Sequence, residues 1–280
     1  MKGGETMFKN RQNLHTHTKF CDGSYTVKEV IEKAIELGFT SIGFSGHALT
    51  TFHRSYCLDE VSALEYIKEV KKQRQNYKGK IDVILGVEYD YYSCGELDEF
   101  DYVIGSVHYV ETREGFVSID TRTPQKLEDI IKTHFDNQPI KLVEEYFRLL
   151  ADLPNKLKRV DVIGHFDLLL KSSEIKKIID NDSSEYRAFA RKAIEKLVDK
   201  GCFFEVNTGA MARGVRSIPY PEPWALKTIR EYGGKVIISS DCHKIDNLDY
   251  YFDGAVEYIK ENGFREVYTF ENGKFIANKI

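Results

Sequence analysis

The chain has 280 residues, with 40 Lys and Arg against 44 Asp and Glu and a formal net charge of -4. That length fits one large α/β domain, and mixed charge without a broad basic field argues against nucleic acid as the main partner. Five cysteines with no CxxC pair point to reduced thiols in the cytoplasm, and no apolar run reaches the roughly 18 residues a membrane span needs.

Residues 1–10 are polar, without the apolar stretch of a signal peptide, and read as a flexible lead-in. The first strand, 13–17, carries His15-Thr16-His17, whose i, i+2 spacing puts both imidazoles on one face. Asp22 follows in the next loop, and helix 27–37 stops at Gly38. Strand 41–47 runs through Gly46 to end on His47, with His53 in the loop beyond. Helix 58–77 stops short of Gly79. Strand 81–90 carries Glu88, and Tyr89, Tyr91 and Tyr92 after it read as packing at a rim. Strand 102–110 holds His108. The long connection 111–159 contains helices 124–135 and 140–150, and His134, inside the first, is assigned no role. Strand 160–167 carries His165, helix 184–200 runs into Gly201, and strand 202–208 carries Asn207. Arg213 and Arg216 lie in the loop that follows, then comes helix 223–232 before Gly233. Strand 235–243 ends in Asp241-Cys242-His243, where alternation turns Cys242 away from its neighbours. The tail, 265–280, reads as a hairpin around Asn272-Gly273.

Alternating β and α segments imply a parallel sheet of seven strands, closed or nearly closed as a barrel, in a single domain spanning 1–280. In such barrels functional groups collect at the C-terminal strand ends. Nine metal-type residues fall there: His15, His17, Asp22, His47, Glu88, His108, His165, Asp241 and His243, six of the eight histidines among them. Imidazoles and carboxylates without thiolates suit zinc, iron or manganese. The pattern is that of a multinuclear metallohydrolase.

The order of motifs carries a resemblance. His15-Thr16-His17 followed by Asp22-Gly23, a strand ending in His47, Val87-Glu88, Ser106-Val107-His108, Gly164-His165 and Ser240-Asp241-Cys242-His243 together resemble the polymerase-and-histidinol-phosphatase (PHP) metallophosphoesterases. The resemblance implies a distorted (β/α)7 barrel and three divalent transition-metal ions. One would be held by His15, His17, Glu88 and Asp241, a second by Glu88 with His108 and His165, and a third by Asp22, His47 and His243. The acid at Asp22 is similar to the histidinol-phosphate phosphatase branch, whereas Gly46 departs from the acidic residue that is common before this histidine in the family.

The resemblance further implies hydrolysis of a phosphomonoester, L-histidinol phosphate above all, as a step of histidine biosynthesis. The alternatives are another small phosphomonoester or a nucleotide, a phosphotyrosine protein, or a non-catalytic metal-binding module. In that chemistry Glu88 joins two ions that activate water, and Asp241 or His243 returns a proton to the leaving alkoxide. Arg213 and Arg216 offer planar donor forks to phosphate. Asn207 and His53 are further candidate substrate contacts, and Asp22, His53, Glu111 and Asp120 are candidates to meet an ammonium and an imidazole.

Overall fold

A computed structural model describes residues 10–121 and 123–280. Nearly all of the expected lead-in, 1–10, therefore lies outside the described residues. Seven parallel strands form the central sheet: β1 (Gln12–Asn13), β2 (Ser41–Phe44), β3 (Asp82–Asp90), β4 (Tyr102–Ser106), β7 (Val162–Ile163), β8 (Phe203–Asn207) and β9 (Lys235–Ser239), paired in that order. The two edges meet just above β1 and β9. There Thr16 bridges Cys242, through His17 N–H to Cys242 O at 2.8 Å and Cys242 N–H to His15 O at 3.0 Å. These two bonds close the barrel beside the candidate ligands.

The covering helices are α1 (Val27–Glu36), α2 (Glu60–Asn76), α3 (Pro124–His134), α4 (Pro139–Lys156), α5 (Ser184–Asp199), the single turn α6 (Gly209–Ala212), α7 (Pro223–Glu231) and α8 (Phe252–Glu261). Their starts follow local chemistry. Thr26 and Glu29 form a reciprocal capping box on α1, and Pro124 and Pro223 occupy the first turns of α3 and α7. Among the described residues no helix is long and apolar enough to cross a membrane.

Alternation sorts the core into two layers. On β3, Val83, Leu85, Val87 and Tyr89 pack outward beneath the helices, while Ile84 faces the barrel interior with Leu14, Tyr102, Ile104, Val162 and Ile237. Tyr102 fills the barrel's waist. Side chains at Gly43 or Gly86 would run into its ring or hydroxyl, so glycine is required at both positions. The tail closes the floor. β10 (Glu266–Glu271) and β11 (Lys274–Lys279) pair antiparallel, with Asn272 and Gly273 at φ 51° and 78°, the type I′ turn that an Asn-Gly pair favours. Phe270 enters the inner cluster, and Phe275 stacks on Phe203 at 4.0 Å. The interior is thus apolar and plugged at one end, leaving the C-terminal strand ends as the open mouth.

Four expectations need correction. The strand expected over 13–17 pairs as a ladder only at Gln12–Asn13, since Leu14 and His15 both turn inward and break the alternation. The strand expected over 160–167 shortens to Val162–Ile163. The one over 102–110 stops at Ser106, and the chain re-enters as a hairpin, β5 (Tyr109–Thr112) with β6 (Gly115–Ser118). This hairpin and α8 have no counterpart in the sequence reading. α4 also extends to Lys156 through Pro154, whose ring removes one intrahelical N–H donor near the helix end.

Candidate metal centre

Glu88 stands at the middle of the mouth, 1% exposed, on the inward row of β3. Its two carboxylate oxygens face different histidines. Oε2 lies 3.1 Å from His15 Nε2, 3.5 Å from His17 Nε2 and 3.0 Å from His47 Nδ1. Oε1 lies 3.0 Å from His165 Nε2 and 3.3 Å from His108 Nε2, and accepts the Ser106 hydroxyl at 2.7 Å. One carboxylate is therefore placed between two groups of imidazoles.

The remaining acids complete the ring. Asp241 Oδ1 is 3.2 Å from His17 Nε2 and 3.6 Å from His15 Nε2. Asp22 reaches His243 Nε2 at 3.3 Å, His17 Nδ1 at 3.6 Å and His47 Nε2 at 3.7 Å. All nine expected residues thus share one continuous site. Three subsets bring their donor atoms within 4.8 Å of one another: His15, His17 and Asp241; His17, Asp22, His47 and His243; and His47, Glu88 and His108. His17 and His47 each belong to two subsets, so the boundaries between ligand groups are less sharp than the resemblance implies.

Backbone conformation delivers two of these side chains. Val162 faces inward and Ile163 outward, so strict alternation would turn His165 out of the barrel. A φ of 21° at His165 breaks the alternation and swings the ring onto Glu88. Asp241, at φ 47°, is likewise left-handed. Such conformations cost non-glycine residues about 1–2 kcal/mol and persist where surrounding contacts hold them.

The donor set fits a cation. Among the described residues His15 Nε2, His17 Nε2, Glu88 Oε2, His108 Nδ1 and His165 Nδ1 are buried without a hydrogen-bond partner. Unpaired buried polar atoms are rare in folded proteins, and here two of them, His15 Nε2 and His17 Nε2, converge as lone-pair donors on Glu88 and Asp241. Burial, then the charges of His243 and His47, lowers the His17 pKa to about 3, keeping the imidazole neutral and able to ligate. Burial opposes ionisation of Glu88, but His15, His47 and His108 outweigh it and hold the carboxyl well below its ordinary range. Arg213 and His15 do the same for Asp241 against its burial. Burial followed by Asp241 pushes the Cys242 thiol up to about 12, so it stays protonated, donating to Lys244 O at 3.0 Å.

The expected substrate contacts divide. Arg213 lies at the mouth, with Nη2 3.0 Å from Asp241 Oδ2 and a third of its side chain exposed. Arg216 does not reach the mouth. Its side chain is fully buried, donating to Leu170 O at 3.0 Å and Glu222 Oε1 at 3.1 Å, over the Tyr220 ring at 4.5 Å. Asn207 is also committed inward, donating to Glu205 at 2.9 Å and accepting Gly209 N–H at 2.9 Å. His53 is exposed at the rim, its Nδ1 2.6 Å from the Tyr109 hydroxyl. Glu111 is exposed on β5, while Asp120 is paired with Lys171 and feels the charges of His108 and Arg213.

Aromatic rings wall one side of the mouth. His47, Tyr56 and His53 succeed one another at 4.9 and 4.8 Å, and Phe52 stacks on Phe116 at 4.1 Å beside Tyr92 and Tyr109. Tyr89 and Tyr91 point away, bonding Gly95 O and Asp152. At Gly46 an added Cβ would sit 3.3 Å from Cys21 Sγ, so the thiol fills the space beside that glycine. His134 ends α3, away from the cluster.

Sequence reasoning passed over three supporting groups. Glu205 lies 2.6 Å from His15 Nδ1, Asp90 accepts His108 N–H at 2.6 Å, and Ser106 binds Glu88. Asp90 and Ser106 were findable, since each sits two residues from a candidate ligand on an inward-facing row.

The two arginines give separable expectations. Arg213→Ala should lower kcat/KM for a phosphate ester about 10- to 100-fold with metal content unchanged, the effect of one lost charge-assisted bond. Arg216→Ala should instead cost stability, about 3 kcal/mol, because it strips partners from a buried ion pair. Steady-state kinetics beside thermal melts decide this. A stable Arg216→Ala with lost phosphate recognition would reverse the assignment.

The fold and the site define a class: a parallel seven-stranded barrel that gathers histidines and carboxylates around one buried glutamate at its open mouth. Residues 13–209 match the PHP domain, and the chain belongs to that family. It is 27% identical over 281 aligned positions to the "probable histidinol-phosphatase" of Schizosaccharomyces pombe, covering 92% of this chain and 89% of that one. It is 25% identical to the histidinol-phosphatase of Bacillus subtilis, covering 88% and 98%. The structure is similar to histidinol phosphate phosphatase from Lactococcus lactis solved with zinc, L-histidinol and phosphate. That match has a TM-score of 0.69 at 20% identity and covers 95% of this chain and 99% of that one.

Proposed function

We propose that this protein is a metal-dependent phosphatase that hydrolyses L-histidinol phosphate to L-histidinol and phosphate, a step of histidine biosynthesis. The observation that carries the metal-dependent part is Glu88, its two oxygens facing separate imidazole groups, with the His15 and His17 Nε2 atoms beside it buried and without partners. The choice of substrate is supported by relatives named histidinol-phosphatases that align over nearly their whole length.

His15, His17, Glu88 and Asp241 would hold one ion, Glu88, His108 and His165 a second, and Asp22, His47 and His243 a third, each zinc, manganese or iron. Bound there, the cations would supply Lewis acidity, making water a nucleophile at neutral pH and neutralising phosphoryl oxygens. The chain's own residues do the rest. Arg213, already anchored on Asp241, turns its remaining donors to the phosphate. His243 turns Nε2 to Asp22 at 3.3 Å and Nδ1 to the Asp241 carbonyl at 2.9 Å, which suits a ligand of the third ion rather than the proton donor to the departing oxygen. The aromatic wall of Phe52, Tyr56, Tyr109 and Phe116 offers a flat face to an imidazole, and the exposed His53 a polar partner.

The test is kcat/KM for L-histidinol phosphate against p-nitrophenyl phosphate, a nucleoside monophosphate and a phosphotyrosine peptide. A pocket built to pair polar groups discriminates strongly, and about 100-fold or more in favour of histidinol phosphate is expected. Equal or faster turnover of any competitor would overturn the substrate assignment and leave the metal centre standing.

A further inference from the structure

We propose that Glu205 is the positioning residue that couples the imidazoles on the two sides of Glu88, holding His15 and His165 where both can take a cation. The inference rests on the metal-centre reading above and adds a residue outside its ligand sets. Glu205 lies on the inward row of β8 and has no exposed surface.

Its two oxygens are divided as those of Glu88 are. Oε1 is 2.6 Å from His15 Nδ1, while Oε2 accepts the backbone N–H of His165 at 3.0 Å and the Asn207 amide at 2.9 Å. The first contact sets the His15 tautomer. With Nδ1–H donated to a carboxylate, the Nε2 lone pair is left facing Glu88 Oε2 at 3.1 Å and Asp241 Oδ1 at 3.6 Å. That Nε2 has no hydrogen-bond partner among the described residues, as expected of an atom kept for a cation.

The second contact acts through the backbone. His165 reaches Glu88 only because its left-handed φ of 21° breaks strand alternation, and the bond from its own N–H to Glu205 helps hold that conformation. The approach is tight, since a Cβ on Gly164 would come within 2.5 Å of Ser106 Oγ and 3.6 Å of Glu205 Oε2. One carboxylate therefore orients a ligand in each of two groups, one by its ring and the other by its backbone. Glu205 has no lysine or arginine bonded to it among the described residues, so its buried charge is held by the two histidines and Asn207 alone.

Zinc affinity, measured by competition with a chromophoric chelator, separates this role from plain packing. Wild type, Glu205→Gln, Glu205→Ala and Arg216→Ala are compared, with zinc stoichiometry and the absorption spectrum of cobalt-substituted protein alongside. Glu205→Gln should weaken zinc binding about 10- to 100-fold, shift the cobalt spectrum and lose two ions rather than one when zinc is limiting. Arg216→Ala should melt earlier yet keep wild-type zinc affinity and spectrum. If Glu205→Ala does not fold, the near-isosteric Gln variant decides. Zinc affinity and spectrum unchanged in Glu205→Gln, or a loss confined to one ion, would overturn the coupling role. A wild type that takes up no zinc would overturn the metal-centre reading beneath it.

Discussion

Glu88→Gln is expected to lower kcat/KM by about 1,000-fold or more while the protein stays folded, a loss of roughly 4 kcal/mol of transition-state stabilisation. The size of the effect follows from where the carboxylate sits. Each of its oxygens faces a different set of imidazoles, and five histidines lie within 3.5 Å of it. An amide keeps the shape and the Ser106 bond but removes the negative charge that two cations would share. Metal content should fall with activity. The fold should survive because the layers beneath Glu88, Ile84 and Tyr102 with the plug of Phe270, do not depend on it. His134→Ala, at the end of α3, should stay within about three-fold of wild type, in the range of ordinary surface changes. Kinetics, elemental analysis and circular dichroism on the two variants give the answer. Comparable damage in both would mean the centre lies elsewhere.

Removing metal should abolish turnover and also lower the melting temperature, by about 10 °C. The stability part is mass action: a ligand present at about a thousand times its dissociation constant contributes about 4 kcal/mol, and each kcal/mol moves the melt of a chain this size by about 2–4 °C. The physical source is crowding. Without cations, the Asp22, Glu88 and Asp241 carboxylates are packed among rings with buried, unpartnered nitrogens. Protein purified without chelator should carry roughly three transition-metal ions per chain. Dialysis against a chelator, melting before and after, and restoration by zinc, manganese or iron are the measurements. A metal-free protein with full activity would end the metal-dependent reading altogether.

Much of this centre was legible before any coordinates. The rhythm of short apolar runs and amphipathic helices specified the seven-stranded barrel, and the strand ends placed all nine histidines and carboxylates at one mouth. Those features are local: period two, period 3.6, and a glycine or a cap at a helix end. The Asn272-Gly273 hairpin was legible for the same reason, since two adjacent residues determine its turn.

What composition and spacing could not specify is where a long side chain goes once the chain has folded. Arg213 and Arg216 look alike in the sequence, yet one borders Asp241 and the other is buried between Leu170 and Glu222. The Leu170 partner of Arg216 lies 46 residues away along the chain. Alternation likewise mispredicts His165, because a single left-handed residue reverses its direction, and the N–H of that residue bonds Glu205, forty residues away. The sequence by itself determined the barrel and the identity of the clustered residues, because both rest on short-range periodicity. The tertiary structure alone decided which nitrogens of five imidazoles face Glu88, which carboxylate bonds the far side of His15 and which arginine borders the mouth. Those are mostly contacts between segments far apart in the chain, brought together where Thr16 and Cys242 join the barrel's two edges.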